Sequence, residues 1–473
     1  MLKQLGAVLL MMSTAAGCAI DVDDDAEPTG VTMSELSNTP RLANNIPFRN
    51  PSGYGASYST AGYIDLNNEF FQNLGTNGRR CVSCHLPGSG WGIRPSDMQA
   101  IFTATDGGVK DDGFGLGAVF RLNDGANSPK ADVSTLAARR KAYSQLLTKG
   151  LIRVGIGIPA NAEFELVAVD DPYGYASAAE LSLFRRPLPS ANLKMLSTVM
   201  WDGRHTVDGK SIHFNLSDQS NGATLGHAEG TVVLTEAQRD SIVNFEVALH
   251  TAQVWDDSAE ALVSEGGEGG LPSLVAQEFY VGINDNFGDS RTGEAFTPIV
   301  FDIYDAWTTS ASERRRSVAR GQALFNTRTI NITGVSGLND EAAFGTPAVV
   351  VGTCTTCHNT PNGGNHSVVA PLNIGLGDAS RRTADMPLYT LRNKATGELK
   401  QTVDPGRALI SGRWKDIGRF KGPILRGLAA RAPYFHDGSA ADLGATVDFY
   451  NSRFTMRLTT SERADLVAFL RTL

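Results

Sequence analysis

Cysteine is scarce in this chain, at five residues in 473, and histidine is hardly more common, at eight. Long apolar runs are lacking too, and no basic run exceeds three residues. Each shortage removes a class of protein. Without an apolar stretch of about 20 residues there is no mature helical membrane span. Without a longer basic run, and with a formal charge of −8, the chain does not suit a nucleic-acid partner. A basic redox partner remains compatible with that charge. The five cysteines are Cys18, Cys81, Cys84, Cys354 and Cys357, and the roles assigned to them below leave none for a disulfide. Otherwise the composition is ordinary for a globular protein: 41% hydrophobic, 19% charged, with 50 glycines. The length suffices for two or three domains with real cores.

Four of the five cysteines stand in Cys81-Val-Ser-Cys84-His85 and Cys354-Thr-Thr-Cys357-His358. Two cysteines held two residues apart can each add across a haem vinyl group, and the adjacent histidine is then placed to bind the iron. A four-cysteine zinc site built from both pairs is the alternative. That site needs no histidine after either pair, yet both pairs have one. The residues therefore point to two covalently bound haems c, with His85 and His358 as iron ligands.

The N-terminus gives the fifth cysteine a role. Lys3 precedes an apolar run from Leu5 to Met12, followed by Ser13-Thr-Ala-Ala-Gly-Cys18. This is a short signal-peptide core with a small-residue processing site, and its ending resembles a bacterial lipobox. Residues 1–18 are read as a lipoprotein-type signal peptide, although Ala15 stands where Leu is usual and plain cleavage near Ala16 is the other outcome. Both readings send the protein to the periplasm or cell envelope, and membrane contact is by lipid anchor only. Residues 19–45 open with Asp21, Asp23, Asp24, Asp25 and Glu27 and continue rich in Thr, Ser, Pro and Asn. They read as an acidic, flexible tether.

An internal repeat organises the rest. Leu234–Leu249 lines up with Leu458–Leu473. Each copy opens with a capping box, Thr235 with Gln238 and Thr459 with Glu462. Each then runs apolar at helical spacing, through Ile242, Phe245 and Leu249 or Leu466, Phe469 and Leu473. Upstream, Asn67–Phe71 before the first cysteine pair matches Gly321–Phe325 before the second. A helix, a C-x-x-C-H loop, a long excursion and a closing helix make a c-type cytochrome domain. The expected fold is therefore mostly α: two c-type cytochrome domains, each with one covalent haem, plus loop-rich insertions. Their boundaries are 46–260 and 310–473, with a linker at 261–309 that contains Glu265-Gly-Gly-Glu-Gly-Gly. The Gly-rich region from about 100 to 190, with a helix near 133–150, reads as an insertion over the first haem.

Arg431-Ala-Pro433-Tyr-Phe-His436-Asp-Gly438, preceded by Phe420-Lys-Gly-Pro-Ile-Leu-Arg426, resembles the signature of the bacterial di-haem cytochrome c peroxidases. Met200-Trp201-Asp-Gly-Arg204 is similar to the matching element of their first domain. The same family includes MauG, which oxidises a precursor protein. The resemblance covers residues from about 60 to 473. It implies that peroxide reacts at the N-terminal haem and that electrons enter at the C-terminal one from a small redox protein. By the same resemblance Trp201 shortens the path between the haems, and a Gln and a Glu ten residues apart handle protons. Gln219 and Glu229 stand at that spacing, with His227 beside them as a further acid–base group or sixth ligand. The family often dimerises.

Two departures bear on function. From Leu86 to Trp201 there is no histidine, whereas many family peroxidases close the resting iron with one there. Either the first haem is open at rest, or His205, His213 or His227 reaches it. At the second haem the family's sixth ligand falls about fourteen residues beyond the Pro-Tyr-Phe-His motif, which is Tyr450 here, as in MauG. Met456 is the competing ligand, and a purely structural Tyr450 is the third outcome. His436 reads as a packing or hydrogen-bonding residue near the second haem, and His213, His250 and His366 as ordinary surface or core histidines. The family's inter-domain calcium would meet Arg186 and Arg431, whose side chains repel a cation, so only backbone carbonyls could hold it. Three activities follow: hydrogen peroxide reduction, a MauG-like oxidation of a protein or organic substrate, or non-enzymatic di-haem electron transfer.

Overall fold

The computed structural model describes residues 40–110 and 112–473. The expected signal peptide and most of the tether lie outside the described residues. None of the described helices is long and apolar enough to cross a membrane.

The chain opens with β1 (Arg41–Ala43), β2 (Pro47–Asn50), β3 (Gly53–Ser59) and β4 (Tyr63–Asp65), then a helical turn at Glu69–Phe71 before the first cysteine pair. A long excursion follows: α1 (Pro95–Thr105), α2 (Leu136–Ala142), α3 (Ser144–Lys149), β5 (Ile152–Ile156), β6 (Phe164–Asp170) and β7 (Leu181–Arg185). The first unit closes with α4 (Ile212–Gly226), α5 (Glu236–Ala248), β8 (Leu249–Asp256) and β9 (Glu260–Ala261). The connection holds α6 (Leu271–Ala276). The second unit contains α7 (Glu313–Thr327), β10 (Ile330–Ile332), β11 (Val350–Gly352), β12 (Leu388–Asn393), β13 (Leu399–Thr402), α8 (Ala408–Ser411), α9 (Leu443–Arg453) and α10 (Thr460–Arg471).

The mostly-α expectation is overturned. Helices take up 32% and strands 16%, and the strands form five sheets among the described residues. The expectation rested on the two capped helices, and those do form. Thr235 caps α5 and Thr459 caps α10, with Gln238 and Glu462 answering each cap reciprocally. The excursions between them are sheet-rich. Segments such as Phe164-Glu-Leu-Val-Ala-Val-Asp170 carry β-branched residues, and their partners are distant in sequence. Strand β6 pairs antiparallel with β12, so Leu166 faces Leu391 across the divide between the two units. β3 pairs with β8, which brings the chain's start against the end of the first unit.

Each unit has an aromatic centre under its cysteine pair. In the first, Phe70, Phe71, Trp91 and Phe245 pack with ring centroids 5.1–6.4 Å apart. In the second, Phe301, Phe325 and Phe469 do the same at 5.3–5.8 Å. Phe245 and Phe469 are equivalent in the repeat. The repeat is imperfect upstream: Asn67–Phe71 yields only a turn, because Gly62 with positive φ and strand β4 precede it. The matching Gly321–Phe325 ends the 15-residue α7, built on the helix-forming Glu313-Arg-Arg-Arg.

Candidate haem sites

Each C-x-x-C-H segment forms one tight turn. The amides of Cys84 and His85 donate to the Cys81 carbonyl, and those of Cys357 and His358 to the Cys354 carbonyl. That turn places both sulfurs and the imidazole at one cavity. His85 Nδ1 lies 3.0 Å from the Trp91 carbonyl and His358 Nδ1 2.5 Å from the Gly364 carbonyl. A carbonyl only accepts, so Nδ1 carries the proton in both rings, and Nε2 is left as the metal-binding nitrogen. Burial pushes His85 down to about 4 and lowers His358 also, which keeps both imidazoles neutral and ligand-competent. Burial pushes the thiols of Cys81 and Cys354 up to about 12, and none of the four cysteines forms a disulfide.

The first cavity, about 1380 Å³ counting its open mouth, is lined by Cys81, Cys84 and His85 together with Gln219, His227, Asp124, Arg79, Met200 and Glu246. The second, about 1690 Å³, is lined by Cys354, Cys357 and His358 with Trp201, His366, Tyr450 and Met456. Six residues line both: Pro187, Leu188, Pro189, Lys421, Pro423 and Ile424. The cavities therefore share a wall. The adjacent residues Met200 and Trp201 face one cavity each.

Of the residues read from sequence, Gln219 and His227 come to the first cavity. Glu229 does not line it; its side chain is exposed, and its backbone, at φ 53°, accepts a hydrogen bond from the Thr76 hydroxyl. His227 Nδ1 lies 2.5 Å from Asp124 Oδ2, and the Arg79 guanidinium stands 3.6 Å from the same oxygen. Burial would raise Asp124, but His227 and Arg79 hold it below the usual carboxylate range. The ring's other nitrogen, Nε2, remains for chemistry. His205 instead pairs with Asp218, and His213 lies 3.8 Å from Asp240, both histidines being half-buried and outside the cavity lining. His250 is held at 3.0 Å from the Ala248 carbonyl.

Trp201 donates from Nε1 to the Arg186 carbonyl at 2.8 Å and meets His436 edge-on. The rest of its motif anchors it. Arg185 bridges Asp202 at 2.5 Å and Asp404 at 2.6 Å, all buried. Burial would raise Asp202, yet Arg185 and Arg204 hold it down to about 2. His436 stacks on Phe420 at 4.1 Å. Tyr450 and Met456 both line the second cavity. Burial pushes the Tyr450 phenol above its ordinary range, and the ring lines the same cavity as Cys354 and Cys357. His366, read as ordinary, lines this cavity with an unpartnered Nδ1.

The donor sets fit two haems c. They do not fit calcium between the units. The Arg186 guanidinium occupies that place and donates to the carbonyls of Lys149, Ile93 and Arg431 at 2.5, 2.5 and 3.0 Å. The carbonyls a cation would need are already bound by a fixed positive charge. No cluster of three or more His, Cys, Asp and Glu suited to a metal ion occurs among the described residues.

Asp124, Lys421, His366 and Glu246 are the site residues missed from sequence. Asp124 lies 103 residues from His227, in an Asn-Asp-Gly turn without any pairing signal. Glu246 did leave a signal, a carboxylate at the repeat position where the second unit has Leu470.

Comparison with known proteins agrees with this chemistry. No family model matches the chain. The cytochrome-c peroxidase IdrP2 of Denitromonas iodatirespirans is 33% identical over 132 residues, which is 26% of this chain and 36% of that protein. The cytochrome-c peroxidase IdrP1 of Pseudomonas sp. (strain SCT) is 28% identical over 341 residues, 61% of this chain and 82% of that protein. The cytochrome c551 peroxidase of Nitrosomonas europaea is 29% identical over 121 residues, 25% of this chain and 30% of that protein. The chain thus spans about a third of the length of the IdrP2 and cytochrome c551 peroxidase relatives and 82% of that IdrP1 relative. A solved MauG-like protein associated with microbial copper homeostasis aligns with TM-score 0.33 and 17% identity, covering 63% of this chain and 76% of that one.

Proposed function

We propose, on the premise that this chain belongs to the bacterial di-haem cytochrome c peroxidase and MauG family, that it is a peroxide-reducing oxidoreductase acting outside the cytoplasm. Hydrogen peroxide is reduced at the His85 site, with electrons delivered through the His358 site. The observation that carries this reading is the asymmetry of two cavities that share one wall. The first holds His227, oriented by Asp124, and Gln219; the second is closed by Tyr450 and Met456.

Haem c supplies the redox chemistry, in which hydrogen peroxide takes up two electrons and two protons and leaves as two waters. The chain's own part is proton handling and positioning. Asp124 accepts the Nδ1 proton of His227 and fixes the tautomer, so Nε2 takes a proton from the bound substrate and returns it to the departing oxygen. Gln219 offers an amide to orient the substrate. Trp201, bound to the wall through the Arg186 carbonyl, stands on the route between the cavities. A small redox protein suits the surface beside the second attachment turn. There Phe287 and Val351 are 62% and 70% exposed, and Asn286 donates to the Thr356 carbonyl at 2.8 Å.

A MauG-like oxidation of a protein or organic substrate is the second reading. Tyr450, which lines the second cavity with Cys354 and Cys357, favours it, because a tyrosine oxygen on the iron would stabilise the oxidised metal.

Low-temperature EPR of the fully oxidised holoprotein tests the assignment. A high-spin ferric signal beside a low-spin one, with the high-spin signal lost on adding peroxide, is expected. Two low-spin signals unchanged by peroxide would reject it. His227→Gln is expected to cut peroxide turnover by about 10²–10⁴-fold with intact haem spectra. Full turnover in that variant with loss in Glu229→Gln would return the proton-handling role to Glu229.

A further inference from the structure

The wall common to both cavities contains one ionisable group. Of its six residues three are prolines and two aliphatic; the sixth is Lys421. Its side chain is 7% exposed. Its ammonium donates to the Thr198 carbonyl at 2.8 Å, and its backbone amide donates to the Trp201 carbonyl at 2.9 Å. One carbonyl is a poor match for a buried ammonium with three donors, and among the described residues no carboxylate forms an ion pair with it, although Asp124 and Glu246 line the same first cavity. Burial, with Arg431 nearby, pushes Lys421 down to about 7. Arg431 lines the second cavity in the same state. It donates to the carbonyls of Ile424 and Arg426, and its Nε has no partner.

Elsewhere the chain treats its buried cations in two ways. Arg185, two residues before the first proline of the wall, is clamped by Asp202 and Asp404. Arg186 and Arg426, each fully or almost fully buried, are met by two or more backbone carbonyls and no carboxylate. A buried cation without an anion costs several kcal/mol, and Lys421, whose ammonium has one acceptor where those guanidiniums have two or more, is the one that an anion from outside the polypeptide would complete. The groups that fill these cavities bring them: each haem c carries two propionate carboxylates. The wall is also rigid, because proline fixes its own backbone φ, so the charge is held in place.

We propose that the Lys421 ammonium is the counter-ion of a haem carboxylate and, standing in the shared wall, is a fixed positive charge felt by both irons. A nearby positive charge favours ferrous over ferric iron, so Lys421 raises the reduction potential of both haems. The two sites are thereby tuned by one residue and not independently. This rests on the two-haem reading above.

The test is a spectroscopic redox titration of the holoprotein, with each haem resolved, for wild type, Lys421→Met and Lys421→Arg. In Lys421→Met the ferric form of each haem is expected to gain about tenfold at fixed potential, a fall of about 59 mV in each midpoint. Lys421→Arg, which keeps the charge, is expected to hold both midpoints near wild type. A fall at one haem alone overturns the sharing, and no fall at either overturns the counter-ion role. Lys421→Gln takes the place of Lys421→Met if the latter does not mature. The haem count per chain, from the pyridine haemochrome of the wild type, separates the two levels of the argument. Fewer than two haems removes the two-haem reading itself, whereas two haems with unmoved potentials removes only the role of Lys421.

Discussion

Glu246 stands where the repeat would place a leucine. It is 5% exposed, lines the first cavity, and leaves Oε2 without a partner. Burial pushes its carboxyl up to about 8, against the weaker pull of the Ser190 hydroxyl. The consequence for stability has a definite sign. Below pH 4.5 the group is protonated folded and unfolded alike, and contributes no penalty. As pH rises, the unfolded chain ionises first while the folded chain keeps its proton until about 8, so stability falls across that window. The loss is on the order of a few kcal/mol. Glu246→Leu, the second unit's own choice at this position, is expected to raise the unfolding temperature of the holoprotein at pH 8. It should also flatten the decline between pH 4.5 and 8. An unaltered slope in the variant would mean that other groups set the pH dependence. Of the candidate site residues, the two cysteine pairs, His85 and His358 stand out in the sequence because haem attachment would require their fixed spacing. Asp124 was not, since only the folded chain brings it to His227.

In the second unit α7 packs tightly against α10, and one residue permits it. A Cβ on Gly321 would fall 2.0 Å from the Asp465 carbonyl oxygen and 2.7 Å from the Phe469 side chain. Both obstacles are held in place, since Phe469 is fully buried in the aromatic centre and the Asp465 carboxylate is paired with Arg320. Gly321→Ala gains helix propensity yet must push α10 away from α7. The expected net effect is a loss of about 1–3 kcal/mol, read as a lower denaturation midpoint. It should be accompanied by a change in the spectrum of the second haem, because Phe325 on α7 packs beside His358 and against Phe469 on α10. A variant as stable as wild type, with an unchanged spectrum, would show that the helices separate at no cost. At this scale the sequence was most readable for α5 and α10, whose caps and apolar faces are local. It was least readable for β6 and β12. Each is a short run with an ambiguous pattern, and what makes it a strand is a partner more than 200 residues away, supplied by the other unit.

Connections of several kinds tie the two units together. β6 pairs with β12, Arg185 of the first unit is clamped between Asp202 and Asp404, and the Arg186 guanidinium gathers carbonyls from Ile93, Lys149 and Arg431. Two separable cytochrome domains joined by a linker would melt one after the other. A molecule stitched in this way should unfold in a single transition, with the optical signals of both haems lost together. Tyr389 offers a way to strain the stitching without touching either cavity. It is fully buried on β12 of the second unit, and its hydroxyl both accepts from the Ser182 amide at 2.9 Å and donates to the Ser182 carbonyl at 2.7 Å on β7 of the first. Tyr389→Phe leaves two buried backbone groups unsatisfied, at a cost of about 1–3 kcal/mol. Both haem signals are expected to shift to lower temperature by the same amount. If the variant instead splits the melt, with one haem signal moving and the other staying, the units are thermodynamically independent. A charge held between them, Lys421 included, would then be a contact between two neighbours and not part of one cooperative structure.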